Sequence, residues 1–244
     1  MRREAAAAVE RGTAPSTAAD ARSAKGKGKA KSGKGKALTR RPGELLPAPS
    51  GPSSTKGLSA KLDQAATMFE AERFRDARKV LDPLIELAPA SADLRELDGL
   101  VAYRQARWKD AVQQLEAFRS LTHATEQHPV LADCYRALGQ HDEVAALWDE
   151  LRAESPSADL VTEGRIVAAG SLADQGEVRQ AIDLLGHGFT LPKRAKAHHL
   201  RRAYALADLY ERSGDAPRAR EIFTWVRQQA GGFADVAERL ASLH

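Results

Sequence analysis

The stretch Leu131-Ala132-Asp133-Cys134-Tyr135-Arg136-Ala137-Leu138-Gly139-Gln140-His141-Asp142-Glu143-Val144-Ala145-Ala146-Leu147-Trp148 decides the fold. Apolar residues at three- and four-residue spacing run up to a glycine, the chain turns through a short polar segment, and the spacing resumes. That is the pattern of two helices joined by a tight turn. Gly139 supplies the left-handed conformation that ends the first helix, and Asp142 reads as the N-cap of the second. In the second helix a small residue, Val144, is followed four positions later by a large one, Trp148. The same pairing returns at Ala77/Leu81, Ala111/Leu115, Ala181/Leu185 and Ala219/Phe223, with the small residues 34, 33, 37 and 38 positions apart. A period of this length is the signature of stacked helical hairpins, none of which can bury its apolar face alone. The small residue lets the helices of one hairpin cross closely. The large one fills the groove toward the next.

Extended along the chain, the pattern predicts helix pairs at 59–72/74–87, 92–105/108–122, 127–138/141–154, 157–175/178–189 and 194–213/216–229, and a last helix over 233–243. Gly176 and Gly214 are expected to end helices as Gly139 does, with Asp215 as an N-cap and Pro217 in the first turn, where its missing N–H does no harm. Pro89 and Pro156 each lie twelve residues after a small-residue marker and stop the second helix of their pair. Trp108, Trp148 and Trp225 are read as second-helix packing residues.

These residues resemble the tetratricopeptide repeat (TPR), whose pattern places Leu-Gly-x-x-Tyr, then Ala-x-x-x-Phe, then Pro within 34 residues. Leu131-Ala132-Asp133-Cys134-Tyr135 and Leu206-Ala207-Asp208-Leu209-Tyr210 carry the likeness best. Met68 stands where a tyrosine is expected, Tyr103 comes one place late, and the last two repeats lack the final proline. The chain is also similar to a group of actinobacterial TPR proteins with a Lys/Arg-rich, Gly/Pro-rich leader. The resemblance implies an all-α, TPR-like right-handed α-solenoid of about five hairpins, covering residues 58–244, with a polar-faced capping helix at the end. It also implies that the first helices line a concave groove. By repeat register the groove-facing, partner-binding candidates are Glu96, Tyr103, Arg104, Asp133, Arg136, Arg165, Arg201, Tyr204, Asp208 and Arg212. Tyrosine and arginine are the side chains enriched where proteins bind one another. The carboxylate clamp of chaperone-binding TPR domains is not expected, because its Lys and Asn positions hold Leu62, Ala66 and Leu97.

Residues 1–57 differ in kind. They hold 13 Lys+Arg against 4 Asp+Glu, a net of +9, whereas the rest of the chain holds 24 against 29, a net of −5. Rich in Ala, Gly, Ser, Pro and Lys, with almost no large apolar side chains, they predict a disordered basic tail and linker. Lys25, Lys27, Lys29, Lys31, Lys34 and Lys36 alternate with small residues into a flexible cation suited to polyanions. RNA or DNA would be held there without sequence preference, since no aromatic interrupts the run for base stacking.

The sequence predicts no enzyme. No glycine-rich phosphate loop follows a strand, no Ser/His/Asp set assembles, and no cofactor or metal ligand set is expected. Adjacent His198 and His199 are expected to point about 100° apart at an exposed helix start, too far apart to share an ion. Glu126-Gln127-His128-Pro129 reads as a helix N-terminus, and the single cysteine, Cys134, as a buried apolar residue. With one cysteine, no secretory h-region and no membrane-length apolar run, a cytoplasmic protein is expected. The reading is therefore a non-enzymatic scaffold that holds a peptide or protein segment in its groove, with the tail as an electrostatic anchor. A nucleic-acid- or ribosome-associated protein acting through that tail is the alternative.

Overall fold

A computed structural model describes residues 52–243. They are helical throughout, with no strand among them, and divide between Glu143 and Val144 into two compact units. The first unit contains α1 (Pro52–Glu70), α2 (Phe74–Leu87), α3 (Ala92–Arg104), α4 (Trp108–Thr122) and α5 (His128–Ala137). The boundary falls in the first turn of α6 (His141–Glu154), and the second unit continues with α7 (Ala158–Asp174), α8 (Val178–Gly186), α9 (Ala197–Arg212), α10 (Ala216–Gln229) and α11 (Val236–Ser242). The expected tail lies outside the described residues as far as Gly51. Residues 52–57 belong to α1 instead of a linker.

One turn recurs in every hairpin. Glu72, Ala106, Gly139, Gly176 and Gly214 all have positive φ, from 55° to 85°, and each stands five residues before a small-residue marker. The next residue donates its N–H to a carbonyl five positions back: Arg73 to Met68, Arg107 to Ala102, Gln140 to Tyr135, Glu177 to Leu172 and Asp215 to Tyr210, each at 2.9 Å. This is the Schellman ending, which satisfies carbonyls a helix would otherwise leave bare. Asp215 caps α10 as expected, accepting from the Arg218 N–H at 3.2 Å. Asp142 does not cap α6. The helix already begins at His141, so Asp142 sits within its first turn, where a negative charge suits the helix dipole.

Each marker has a small partner twelve residues earlier on the first helix: Ala65 for Ala77, Gly99 for Ala111, Ala169 for Ala181 and Ala207 for Ala219, all buried. Ala132 and Val144 hold the same two positions around Gly139 and are likewise buried. At Gly99 even a methyl is too much, since a Cβ there would lie 2.7 Å from both Cγ and Cδ2 of Leu115. Around these crossings the first unit buries Leu58, Leu62, Leu81, Leu84, Leu94, Leu97 and Val101. The second gathers Leu185, Tyr204, Leu206, Leu209, Phe223 and Val226, with Val236 of α11 closing over them. Leu81, Leu115, Leu185 and Phe223 are buried as expected, but Trp148 is only half-buried. In α6 the apolar stripe runs through Val144, Leu147 and Leu151.

The longer periods late in the chain have a local origin. α7 and α9 run for 17 and 16 residues, against 13 and 10 for α3 and α5. α8 spans only nine, ending at Gly186 and not at 189, before a ten-residue connection over 187–196; the other second helices span 14 or 15. Gly188 takes a left-handed φ of 64° just beyond it.

One buried charge works against the fold. The Asp98 carboxyl on α3 is 7% exposed. Burial pushes it up to about 6, with Arg78 and Arg95 opposing and Asp82 and Asp110 adding to the rise. A carboxyl raised in the folded state is disfavoured whenever it ionises, so its cost is absent below the unfolded value near 4 and accrues as pH rises through 6.

Three substitutions test these points. Gly99→Ala is expected to cost about 1–2 kcal/mol, overpacking against Leu115 outweighing the gain in helix propensity. Ala106→Gly is expected to stabilise by about 0.5–1 kcal/mol by relieving the left-handed backbone. Asp98→Asn should gain about 1–3 kcal/mol over the parent at pH 7.5 and little at pH 4. Urea melts of the three variants at both pH values check all of this, and an Asp98→Asn gain independent of pH would refute the buried-carboxylate account.

Candidate functional site

The repeat register brings the first helices side by side within each unit, and their polar residues meet there. In the first unit α3 carries Glu96, Tyr103 and Arg104, and α5 carries Asp133 and Arg136. The Tyr103 hydroxyl donates to Asp133 Oδ2 at 2.7 Å, and its ring meets Trp108 edge-on, with centroids 5.5 Å apart. Asp133 also faces Arg136 at 3.5 Å. Gln127, just before α5, donates from Nε2 to Glu96 Oε1 at 2.7 Å. Arg104 reaches Glu72 at 3.3 Å and stacks over Phe74 at 4.6 Å. Each of the five expected residues is thus tied to a neighbour within its own unit.

The second unit repeats the scheme. Arg201 of α9 is hydrogen-bonded to Glu163 of α7, whose carboxyl is raised by burial although Arg201 opposes the rise. Tyr204 is buried between Phe223 and Phe233, and its hydroxyl donates to Asp235 at 2.5 Å. Asp208 is buried too, and burial raises its carboxyl. Arg239 of α11 bonds it at 2.7 Å and also bonds Glu211 at 2.6 Å. Arg212 lies 3.9 Å from Asp208, its side chain 42% exposed. Arg165 differs. It stacks over Trp148 at 5.5 Å and donates to the backbone carbonyl of His187 at 3.2 Å, with no carboxylate beside it.

Two residues in this unit escaped the sequence reading. Arg239 pins α11 onto α9, with its guanidinium 5.2 Å from the Phe223 ring. Its polar partners lie about thirty residues away, so no local pattern announces them. Arg202 donates from Nε to Leu185 O at 2.8 Å and from Nη2 to His187 O at 2.6 Å. The signal for it was present, since no acidic residue occurs between Leu184 and Ala207.

His198 and His199 do not point apart. Their rings lie 4.1 Å apart and the two Nε2 atoms approach to 3.2 Å. His199 folds back so that its Nδ1 accepts the Lys196 N–H at 3.0 Å, while buried His198 meets Asp159 through Nδ1 at 2.7 Å. Those contacts fit one proton arrangement: His199 donates from Nε2 to His198 Nε2, and His198 donates from Nδ1 to Asp159. Burial, with His198 and Lys196 adding to it, pushes His199 down, which suits a neutral ring at that position. Cys134 is fully buried, and burial drives its thiol upward. Among the described residues no group of three or more His, Cys, Asp or Glu side chains is placed to hold a metal ion. None of the described helices is long and apolar enough to cross a membrane. An open depression of about 540 Å³ lies between Leu191, Pro217, Arg220, Thr224 and half-buried Trp225. The lysines from Lys25 to Lys36 lie outside the described residues.

The fold is TPR-like. It superposes on TTC0263, a thermophilic TPR protein of Thermus thermophilus, with a TM-score of 0.57 and 16% identity over 76% of this chain and 98% of that one. The apo quorum sensor NprR of B. thuringiensis matches at a TM-score of 0.39 and 16% identity, over 76% of this chain and 68% of that one. The TPR domain of P58(IPK) matches at 0.35 and 14%, over 78% and 66%. No protein-family model and no curated protein matches the chain.

Arg239 gives the sharpest test of this geometry. Arg239→Ala leaves buried Asp208 with only the distant Arg212 at 3.9 Å and is expected to cost about 3–5 kcal/mol. Hydrogen exchange should then show loss of protection centred on α11 and the C-terminal end of α9. Loss spread evenly over the second unit would count against a local pin.

Proposed function

We propose that the chain is a non-enzymatic adaptor whose first-helix faces hold a peptide or protein segment, with the lysine tail adding electrostatic attraction. One observation carries the reading. The hairpins consume their small and large apolar side chains in packing, while two arginines of the first helices, Arg104 and Arg212, keep partly exposed guanidiniums in loose ion pairs. Arg104–Glu72 at 3.3 Å and Arg212–Asp208 at 3.9 Å, with the arginine side chains 25% and 42% exposed, are of this kind. Such pairs contribute roughly 0–1 kcal/mol. A partner's carboxylates can therefore exchange for the internal ones at little cost, while Tyr103 and the buried members of the ties keep the helices in place. The +9 of residues 1–57 attracts an acidic partner, and on a body of net −5 the attraction must come locally, from exposed arginines of the first helices.

Affinity capture with the intact chain tests this. A saturable protein partner is expected, weakened about tenfold or more by Arg104→Glu with Arg212→Glu, and only modestly by replacing the six tail lysines with glutamine. Failure to capture any saturable partner would sink the adaptor reading. Capture that vanishes with nuclease and collapses between about 50 and 200 mM salt would instead assign the contact to nucleic acid on the tail.

A further inference from the structure

The early end of α8 leaves an arrangement that packing does not explain. Where the other second helices run on, α8 stops at Gly186, and two arginines from flanking first helices converge on its last carbonyls. Arg165 of α7 and Arg202 of α9 both donate to the His187 carbonyl, at 3.2 and 2.6 Å, so the donating nitrogens can be no further apart than those two distances laid end to end. Aromatic rings back both guanidiniums: Trp148 behind Arg165 at 5.5 Å and Phe189 behind Arg202 at 4.9 Å.

We propose that this convergence is an oxyanion-binding site, with Arg165 and Arg202 as its two arms, and that it takes the carboxylates or phosphates of an acidic peptide segment.

The charge balance argues for it. A helix C-terminus carries about half a negative charge, and two full positive charges meet it. Neither arginine faces a carboxylate. On the flanking first helices Glu163 is engaged with Arg201 and Asp159 with His198, and exposed Asp183 in the last turn of α8 forms no ion pair with either arginine. Lys193, Arg194 and Lys196 add exposed positive charge on the connection into α9, and no acid intervenes from Leu184 to Ala207. Donor capacity is left over as well. Of the five N–H groups on each guanidinium, Arg165 uses one and Arg202 two. Burial and the neighbouring Arg165 charge lower Arg202 to about 10, and burial alone lowers Arg165; a bound anion would favour the charged form of each. Planar forks held side by side on aromatic faces suit a carboxylate or phosphate better than lysines would.

The peptide part deepens the adaptor reading and rests on it; the anion site does not. Two measurements separate them. In the intact chain, the arginine side-chain Nε–H signals are followed by NMR during titration with pyrophosphate at constant ionic strength. Saturable shifts at Arg165 and Arg202, absent from Arg152, are expected, and equal shifts at all three or none would overturn the site. The second measurement uses the chain with its tail lysines replaced by glutamine, so that the tail cannot compete. Two labelled short peptides, one of Asp and Glu only and one carrying phosphoserines on a Gly/Ser background, are titrated at about 150 mM salt. At least one is expected to bind, about tenfold more weakly to Arg165→Gln/Arg202→Gln, with Arg165→Lys/Arg202→Lys falling between. Whichever peptide binds names the ligand chemistry. Affinity unchanged in the Gln variant would overturn the assignment. If Arg165 and Arg202 respond to pyrophosphate while neither peptide binds, the peptide ligand is refuted and the anion site stands. If the arginines stay silent while a protein partner is captured through Arg104 and Arg212, the adaptor reading stands and this proposal falls. The NMR arm needs no variant, so a folding defect in the Gln protein leaves the question decidable.

Discussion

Close approach of two helices at a pair of small side chains is the constraint on which each hairpin depends. The pair is set twelve residues apart, with a left-handed residue seven after the first and five before the second. The spacing works because the Schellman turn has fixed geometry: once the backbone reverses there, these two positions face each other across the crossing. The room left differs between crossings, since Val144 is accommodated in one of them. Gly99 shows the tolerance, since a Cβ would strike the same Leu115 that closes the groove. The large residue four after the marker, the buried leucines and the aromatic caps all take their places from that approach.

Satisfying the hairpins leaves the first helices with a polar face, and the chain spends much of it on itself. Tyr103–Asp133 and Gln127–Glu96 bind α3 to the α5 region, and Arg201–Glu163 and His198–Asp159 bind α9 to α7. Within each unit, then, different chemistry holds the hairpins and the first helices: apolar crossing inside a hairpin, hydrogen-bonded charge between first helices. Residues with binding chemistry do not stand idle in such an arrangement. Their availability depends on how loosely each is tied, which runs from buried Asp208 to the half-exposed Arg212 beside it.

Helix positions were legible because the small/large period and the turn glycines mark them locally; most ends fall within one to three residues of expectation. The misses have physical causes. Pro52 is tolerated at a helix start, so a stretch with linker composition could begin α1. α8 ends early because Gly188 turns left-handed two residues past Gly186, which periodicity alone does not show. At Glu72 and Ala106 ordinary residues take the left-handed position that glycine fills later, so the first two turns lacked the usual marker. Trp148 is only half-buried because Leu147 and Leu151 share the buried stripe of α6, yet its ring still lies against Gly164 of α7. The polar ties were illegible for another reason. Their partners lie 30 to 39 residues apart, and only the exact register of neighbouring repeats brings them together. The histidine pair failed on side-chain reach: a helical angle between Cα–Cβ bonds does not limit where two flexible rings meet.

Cys134 sits fully enclosed with Ala102 and Ala111, the second being one of the crossing residues. It is the only thiol in the chain. A thiol held protonated behind a helix crossing is out of reach of alkylating reagents and oxidants for as long as that crossing is closed. Its modification rate in the native protein therefore counts how often the first unit breathes open. The same enclosure spares the folded chain from disulfide-linked dimers, so any such dimer that forms records a molecule that had already come apart.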